Sequence, residues 1–171
     1  MLLSMALITK YRLVLSFFIL GLVLSGITAF PLAWELRLLN DVLGSNSLAT
    51  QAGLSFWLGT VDRGLHETYA VYPWMAYGTD WLAFAHIAIA VYFIGPLFNP
   101  VKNEWVIHAG LIGCLLVLPL ALICGPLRGI PLYWRLIDCS FGVFGAVPLL
   151  YCLRLTRLMK TEPHSALLVH R

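Results

Sequence analysis

The chain has 171 residues, of which 60% are hydrophobic and only 11% are charged. Soluble domains carry about 25% charged residues, so this chain has too few charges to cover a water-facing surface, and its apolar excess suits lipid. The net charge of +3 is small and the basic residues are not clustered, which argues against nucleic acid as a partner.

Four windows of the sequence are long and apolar enough to cross a membrane as helices. Crossing about 30 Å of hydrocarbon at about 1.5 Å per residue takes roughly 20 mainly apolar residues. The four predicted spans are residues 13–30, 80–97, 105–125 and 131–153. The predicted fold is therefore all-α, a polytopic membrane protein with four transmembrane helices.

The first window also has the apolar character of a signal peptide. A cleavable signal peptide needs small residues one and three positions before the cut. Cleavage after Ala29 would place Ile27 in the outer of these positions, which fits poorly. We therefore expect an uncleaved membrane anchor.

The distribution of basic residues predicts the orientation, because Lys and Arg in short loops favour the cytoplasmic side. With both termini inside, segments 1–12, 98–104 and 154–171 hold seven of the eleven Lys and Arg residues. The outer side holds Arg37 and Arg63 in the loop 31–79, Arg128 in the turn 126–130, and Arg135 near the outer end of the fourth span. We expect both termini in the cytoplasm and residues 154–171 as a short tail.

The outer loop 31–79 is too long to be a simple turn. Trp34, Leu38 and Val42 recur at helical spacing, and a second apolar stripe runs from Leu54 to Tyr72. Such stripes predict amphipathic helices that lie in the membrane interface or cover the outer end of the bundle.

Each predicted span contains a stripe of small residues, which lets neighbouring helices approach closely in lipid. The stripes are Gly21/Ser25/Ala29, Ala83/Ala90, Ala109/Gly113 and Cys139/Gly142/Ala146. They suit a tight four-helix bundle and would equally suit docking onto other membrane-protein subunits.

Polar residues inside the spans are the candidates for function, because charge is costly in hydrocarbon. Arg135 and Asp138 are three residues apart on the fourth span and can pair on one helix face. His86 lies roughly 9 Å from the outer end of the second span, and Asp138 lies at about the same depth on the fourth. We predict one outer cluster in which His86 acts as a base or a metal ligand, Asp138 orients it and Arg135 holds an anionic head group.

Several further residues are candidates for the same pocket, either by depth in the spans or as a lid from the outer segments. They are Ser25, Asp62, His66, Arg128, Cys139 and Ser140. The alternative is that these groups are structural, with His86 as a hydrogen-bonded histidine and Arg135 and Asp138 as an internal ion pair.

A tetrapyrrole is a further alternative, with His86 or His108 as a single axial ligand of haem or a chlorophyll-type pigment. The two histidines differ in predicted depth by more than about 10 Å, which excludes their joint ligation of one haem iron. The sequence requires no cofactor.

The sequence contains no G-x-S-x-G nucleophile elbow, no Walker loop and no dinucleotide-binding fingerprint. His66-Glu67 begins like the metalloprotease motif H-E-x-x-H, but Ala70 replaces the second histidine, so we predict no metal site there. The cysteines form no C-x-x-C pair and are interpreted as small hydrophobic residues.

Segments 72–86 and 129–142 resemble a group of small, uncharacterised bacterial four-helix membrane proteins. The resemblance implies the bacterial cytoplasmic (inner) membrane, and no activity or functional residue carries over from it. Our first hypothesis is a non-catalytic subunit or scaffold of a larger membrane complex, with lipids and other membrane subunits as partners. The alternatives are an enzyme or a lipid or small-molecule site at the outer interface, and the tetrapyrrole site.

Overall fold

The computed structural model describes residues 2–43, 50 and 53–161, and all regular secondary structure in these ranges is helical. The helical stretches long and apolar enough to cross a membrane are Met5–Ala29, Pro73–Phe98, Glu104–Leu127 and Leu132–Thr161. The predicted all-helical fold with four helices of membrane-spanning length is confirmed. Insertion into a bilayer remains part of the proposal below.

Eight α-helices follow one another along the described parts of the chain. They are α1 (Leu2–Ala29), α2 (Leu32–Leu43), α3 (Leu54–Val71), α4 (Tyr77–Tyr92), α5 (Ile94–Phe98), α6 (Glu104–Pro119), α7 (Gly125–Leu127) and α8 (Leu132–Thr161). A 3-10 turn, Pro73–Ala76, precedes α4, and a π-helical turn, Leu120–Cys124, joins α6 to α7. The wider π turn follows Pro119, whose ring crowds the preceding helical turn and which donates no backbone hydrogen bond.

The helices extend beyond the apolar windows that predicted the spans. Helix α1 begins at Leu2, and α8 continues through residues 154–161, which the sequence assigned to the tail. In that extension Leu155 and Thr156 are buried whereas Arg154 and Arg157 are exposed. Hydropathy locates the apolar part of a helix, but an amphipathic continuation has too little hydropathy to be counted. The remainder of the predicted tail, 162–171, lies outside the described residues.

The chain divides into two compact units. The first contains residues 2–21 and 90–161 among those described, and the second contains Leu22–Ile89. In the first unit, α6 and α8 pack closely at glycines: a Cβ built on Gly142 would lie 2.5 Å from the carbonyl oxygen of Cys114. A Cβ built on Gly110 would lie 2.8 Å from the Leu149 side chain. These contacts show close packing at Gly142, which belongs to a predicted stripe, and at Gly110, which lies beside the stripe of Ala109 and Gly113.

The part of α1 in the first unit packs through aromatic and polar contacts. The rings of Phe18 and Phe93 meet edge to face at 4.9 Å, and Arg12 Nε donates to the carbonyl oxygen of Leu97 at 3.2 Å. Tyr11 is fully buried, and its carbonyl oxygen accepts a long hydrogen bond of 3.9 Å from Cys152 Sγ. The sulfur of Cys152 therefore lies in a packed interior, as its interpretation as a small hydrophobic residue requires.

In the second unit, α2 and α3 form a helical hairpin that the sequence predicted as two amphipathic stripes. Leu36 and Leu58 are buried, and Ser55 Oγ donates to the carbonyl oxygen of Leu43 at 3.0 Å. The stripe of Trp34, Leu38 and Val42 is 64%, 50% and 63% exposed, respectively. This stripe therefore does not supply the packing face of α2.

Candidate functional site

His86 lies on α4 beside a close contact of α4 with Gly26 of α1. A Cβ built on Gly26 would lie 2.9 Å from the carbonyl oxygen of Ala83 and 3.3 Å from the Cβ of His86. His86 Nδ1–H donates to the carbonyl oxygen of Leu82 at 2.8 Å. That bond fixes the tautomer and leaves Nε2 as the ring atom that can accept a proton or bind a ligand. Ser25, in the neighbouring turn of α1, is exposed.

Arg135 lies in the first turns of α8 and packs its aliphatic stem against Gly125. A Cβ on Gly125 would lie 2.7 Å from Arg135 Cγ, so only glycine leaves room for the arginine there. The Nε atom of Arg135 is buried and has no hydrogen-bond partner among the described residues. An unsatisfied buried donor costs stability, so this nitrogen is a point where a ligand could bind.

Asp138 is half-buried one turn further along α8. Within the described ranges the ion pair that forms is Glu104–Lys160, and Asp138 pairs neither with Arg135 nor with another described residue. The internal Arg135–Asp138 pair predicted from the i, i+3 spacing is thus absent from this structure. The physical reason is that the Arg135 side chain occupies the space that Gly125 leaves open.

The remaining candidates of the first unit are a serine, an arginine and a cysteine, none of which forms an ion pair with a described residue. Ser140 Oγ donates to the carbonyl oxygen of Ile137 at 2.6 Å, and Arg128 is exposed. Cys139 is a half-buried free thiol, and the other three cysteines are free as well, so Cys124 and Cys139 do not form a disulfide. Among the described residues, none of these candidates forms an ion pair with Asp138.

The candidates of the outer cluster are divided between the two compact units. Ser25, Asp62, His66 and His86 belong to the second unit, and Arg128, Arg135, Asp138, Cys139 and Ser140 belong to the first. A single site that combines His86 with Arg135 and Asp138 therefore stays a prediction.

His108, the other candidate for a tetrapyrrole ligand, lies near the start of α6. Its Nδ1–H donates to the carbonyl oxygen of Glu104 at 3.1 Å, and its ring stacks on Trp105 with 6.3 Å between ring centroids. As at His86, Nε2 is left for other partners. Axial ligation by either histidine stays a prediction, and an absorption spectrum of the purified protein without a Soret or pigment band would contradict it.

A polar cleft opens between α2 and α3 in the second unit. Its volume is about 550 Å³, within the range of about 300–1,000 Å³ of small-molecule sites. The lining residues are Arg37, Asn40, Gly59, Asp62, Arg63 and His66. Two guanidinium groups, an imidazole, an amide and a carboxylate are thus collected around one space, which we call the α2–α3 cleft.

Two features of the α2–α3 cleft concern hydrogen bonding. Arg37 Nη2 lies 2.8 Å from His66 Nδ1, so the arginine reaches across from α2 to the imidazole on α3. Asp62 Oδ1 is buried and has no hydrogen-bond partner among the described residues. The cleft therefore combines cationic donors with an acceptor that the described protein groups do not satisfy.

Sequence reasoning selected Asp62 and His66 but missed their partners on α2. Arg37 and Asn40 are three residues apart, so they share a face of α2, and Gly59, Asp62 and His66 recur on one face of α3. This polar periodicity was present in the sequence. The spacing of residues does not show that α2 packs against α3, and this packing brings the two polar faces together.

No metal centre is apparent in residues 2–43, 50 and 53–161: they contain no group of three or more His, Cys, Asp or Glu side chains that could hold a metal ion. Comparison of the chain with protein-family models, with curated proteins and with solved structures finds no match. The resemblance of segments 72–86 and 129–142 to small bacterial membrane proteins stays a prediction.

Proposed function

We propose that this chain is a small integral membrane subunit, without catalysis of its own, that docks onto a larger membrane assembly through α6. The observation that carries the proposal is an unfilled small-residue face on that helix. Ala109 and Gly113 lie one turn apart and are both exposed, and no described atom lies within 4 Å of a Cβ built on Gly113. Two small residues at this spacing let the backbone of a second helix approach closely.

The contrast within α6 supports the assignment of this face to a partner. Gly110, on the neighbouring face of the helix, is covered by Phe93 and Leu149 of the same chain. Ile112 and Leu116, beside Gly113, are 48% and 60% exposed. Large apolar side chains around an open small-residue groove suit a helix of another membrane protein.

The environment we propose is the bacterial cytoplasmic membrane, crossed four times, with both termini in the cytoplasm and lipids as general partners. Support comes from four helices of membrane-spanning length and from the excess of basic residues in the segments assigned to the inside. The exposed apolar side chains along these helices suit contact with lipid tails.

The proposal is tested by affinity purification from native membranes in a mild detergent, followed by mass spectrometry of the co-purifying proteins. We expect a defined membrane protein to be recovered with the wild type. Gly113→Leu should reduce its recovery about tenfold, equivalent to about 1.4 kcal/mol, because the added side chain keeps the partner's backbone away.

Leu115→Phe is the matched control, because it also enlarges an exposed residue of α6 (Leu115 is 63% exposed) but lies away from the Ala109–Gly113 face. Its partner recovery should equal that of the wild type. Recovery of the wild type with lipid alone, or equal partner recovery with both variants, would contradict docking through this face.

A second candidate function is a ligand site at the outer interface on Arg135 and Asp138 of α8, which the sequence analysis combined with His86. The observation that favours it is the buried, unpartnered Arg135 Nε one turn from an unpaired Asp138. Small molecules and lipids retained by the purified protein can be identified by mass spectrometry. If His86→Ala and Asp138→Asn leave retention and any associated activity unchanged, this candidate fails.

A further inference from the structure

The α2–α3 cleft has the composition of a site for a charged head group. Arg37 Nη2 contacts both ring nitrogens of His66, and the described residues give the Arg37 guanidinium no carboxylate partner. Arg63 also lines the cleft, and the described residues give it no carboxylate partner. Two guanidinium groups are therefore available to an anion, which arginine binds with paired N–H donors.

Asp62 gives the cleft a preference for a cationic group, in addition to the preference of the two arginines for an anion. One carboxylate oxygen is buried without a hydrogen-bond partner among the described residues, although Arg63 and His66 line the same space. A buried acceptor of this kind is satisfied by a ligand that brings its own N–H or O–H donor. A simple anion would satisfy the arginines and would be repelled by Asp62.

We propose that the α2–α3 cleft binds the head group of an aminophospholipid, with the phosphate on Arg37 and Arg63 and the ammonium group on Asp62. The shared chemistry is a phosphate that carries a primary amine, as in ethanolamine phosphate. Asn40 supplies an amide near the floor, where its Oδ1 lies 3.8 Å from the position of a Cβ on Gly59.

The position of the cleft on α2 favours a lipid as the source of this head group. Trp34 lies one turn before Arg37 and Leu38 follows it directly, and both apolar side chains are at least half exposed. Exposed tryptophan beside arginine is typical of the boundary between head groups and acyl chains. A lipid held by its phosphate at Arg37 would lay its chains toward this apolar stripe.

Native mass spectrometry of the full-length protein in mixed micelles tests the proposal. The micelles contain equal amounts of phosphatidylethanolamine, phosphatidylcholine and phosphatidylglycerol. We expect the wild type to retain phosphatidylethanolamine about tenfold more than phosphatidylcholine, whose quaternary amine has no N–H to donate to Asp62. This comparison needs no variant and so does not depend on how a substitution affects folding.

Variants of Asp62 and Arg63 test which side chain contacts which part of the head group. Asp62→Asn should reduce the preference for phosphatidylethanolamine over phosphatidylglycerol about tenfold, and Arg63→Gln should weaken retention of all the lipids with a phosphate. Glu67→Gln is the matched control, because it neutralises an exposed acid of α3 that does not line the cleft. Circular dichroism verifies that each variant is folded.

Equal retention of phosphatidylethanolamine and phosphatidylcholine by the wild type would overturn the proposal, as would an unchanged preference in folded Asp62→Asn. Titration with soluble ethanolamine phosphate separates the two sources: binding of the soluble compound without lipid retention overturns the assignment to a lipid. The outcome is independent of docking through α6, because Asp62→Asn should leave the recovery of the partner protein unchanged.

Discussion

Gly142 on α8 and Gly113 on α6 differ in what surrounds the missing side chain. A Cβ on Gly142 would lie 2.5 Å from a backbone carbonyl oxygen of α6, which cannot rotate away, whereas one on Gly113 would meet no described atom within 4 Å. We expect Gly142→Ala to lower the free energy of unfolding in detergent by about 1–3 kcal/mol, the usual cost of overpacking. A thermal melt followed by circular dichroism measures the difference.

Gly113→Ala is the control for this prediction, because it makes the same chemical change on an open helix face. Alanine favours the helix over glycine by up to about 1 kcal/mol, so this variant should melt at the same temperature as the wild type or higher. Equal melting temperatures for both variants would mean that α6 and α8 do not pack at Gly142 as described.

The same residues mark what spacing can predict. Gly113 and Gly142 were both recognised in small-residue stripes, but spacing within one helix cannot tell which stripe meets a neighbour, because that depends on the partner helix. The pairing of Arg135 with Asp138 was also predicted from spacing within one helix, and this structure does not contain it. Spacing brings the two Cβ atoms near each other, but the open space beside Gly125 determines where the arginine side chain lies.

At the scale of elements, α2 carries the clearest expectation about the membrane. Its exposed stripe of Trp34, Leu38 and Val42 should lie in the acyl-chain region if the hairpin is interfacial. In a variant with the native cysteines replaced, a spin label at Leu38→Cys should collide more with oxygen, which partitions into lipid, than with a water-soluble nickel reagent. Electron paramagnetic resonance of the protein in vesicles measures both collision rates.

The control label is Glu67→Cys on α3, an exposed charged position that should show the opposite ratio, because glutamate favours water over hydrocarbon. A label at position 38 that is as accessible to nickel as the one at 67 would contradict an interfacial α2. Periodicity predicted helices in this outer segment, and α2 and α3 are helical. It could not show that the residue of α2 buried in the fold would be Leu36, which lies off the stripe and is 6% exposed.

For the whole molecule, the number of membrane-length helices was predictable because each apolar window has about the length that a bilayer requires, and the corresponding helical stretches have 24 to 30 residues. The α2–α3 cleft was not predictable, since it depends on the packing of α2 against α3, which neither the apolar windows nor the stripe within each helix specifies. Asp62 and His66 were therefore assigned to a cluster with His86, and their described polar neighbours are Arg37 and Asn40.

The proposed orientation of the whole chain rests on the distribution of charge, and reporter fusions in a bacterial host test it. Seven basic residues in segments 1–12, 98–104 and 154–171 favour the cytoplasm for both termini. Alkaline phosphatase, which is active only outside the cytoplasm, should be active when fused after Gly129 and inactive after Thr161, and a fluorescent protein should show the reverse.

Replacing both Lys10 and Arg12 by Gln leaves five inner basic residues against four outer ones, so the orientation should persist with reduced uniformity. Active phosphatase at Thr161 in the wild-type background would exclude this orientation of the C-terminal part of the chain.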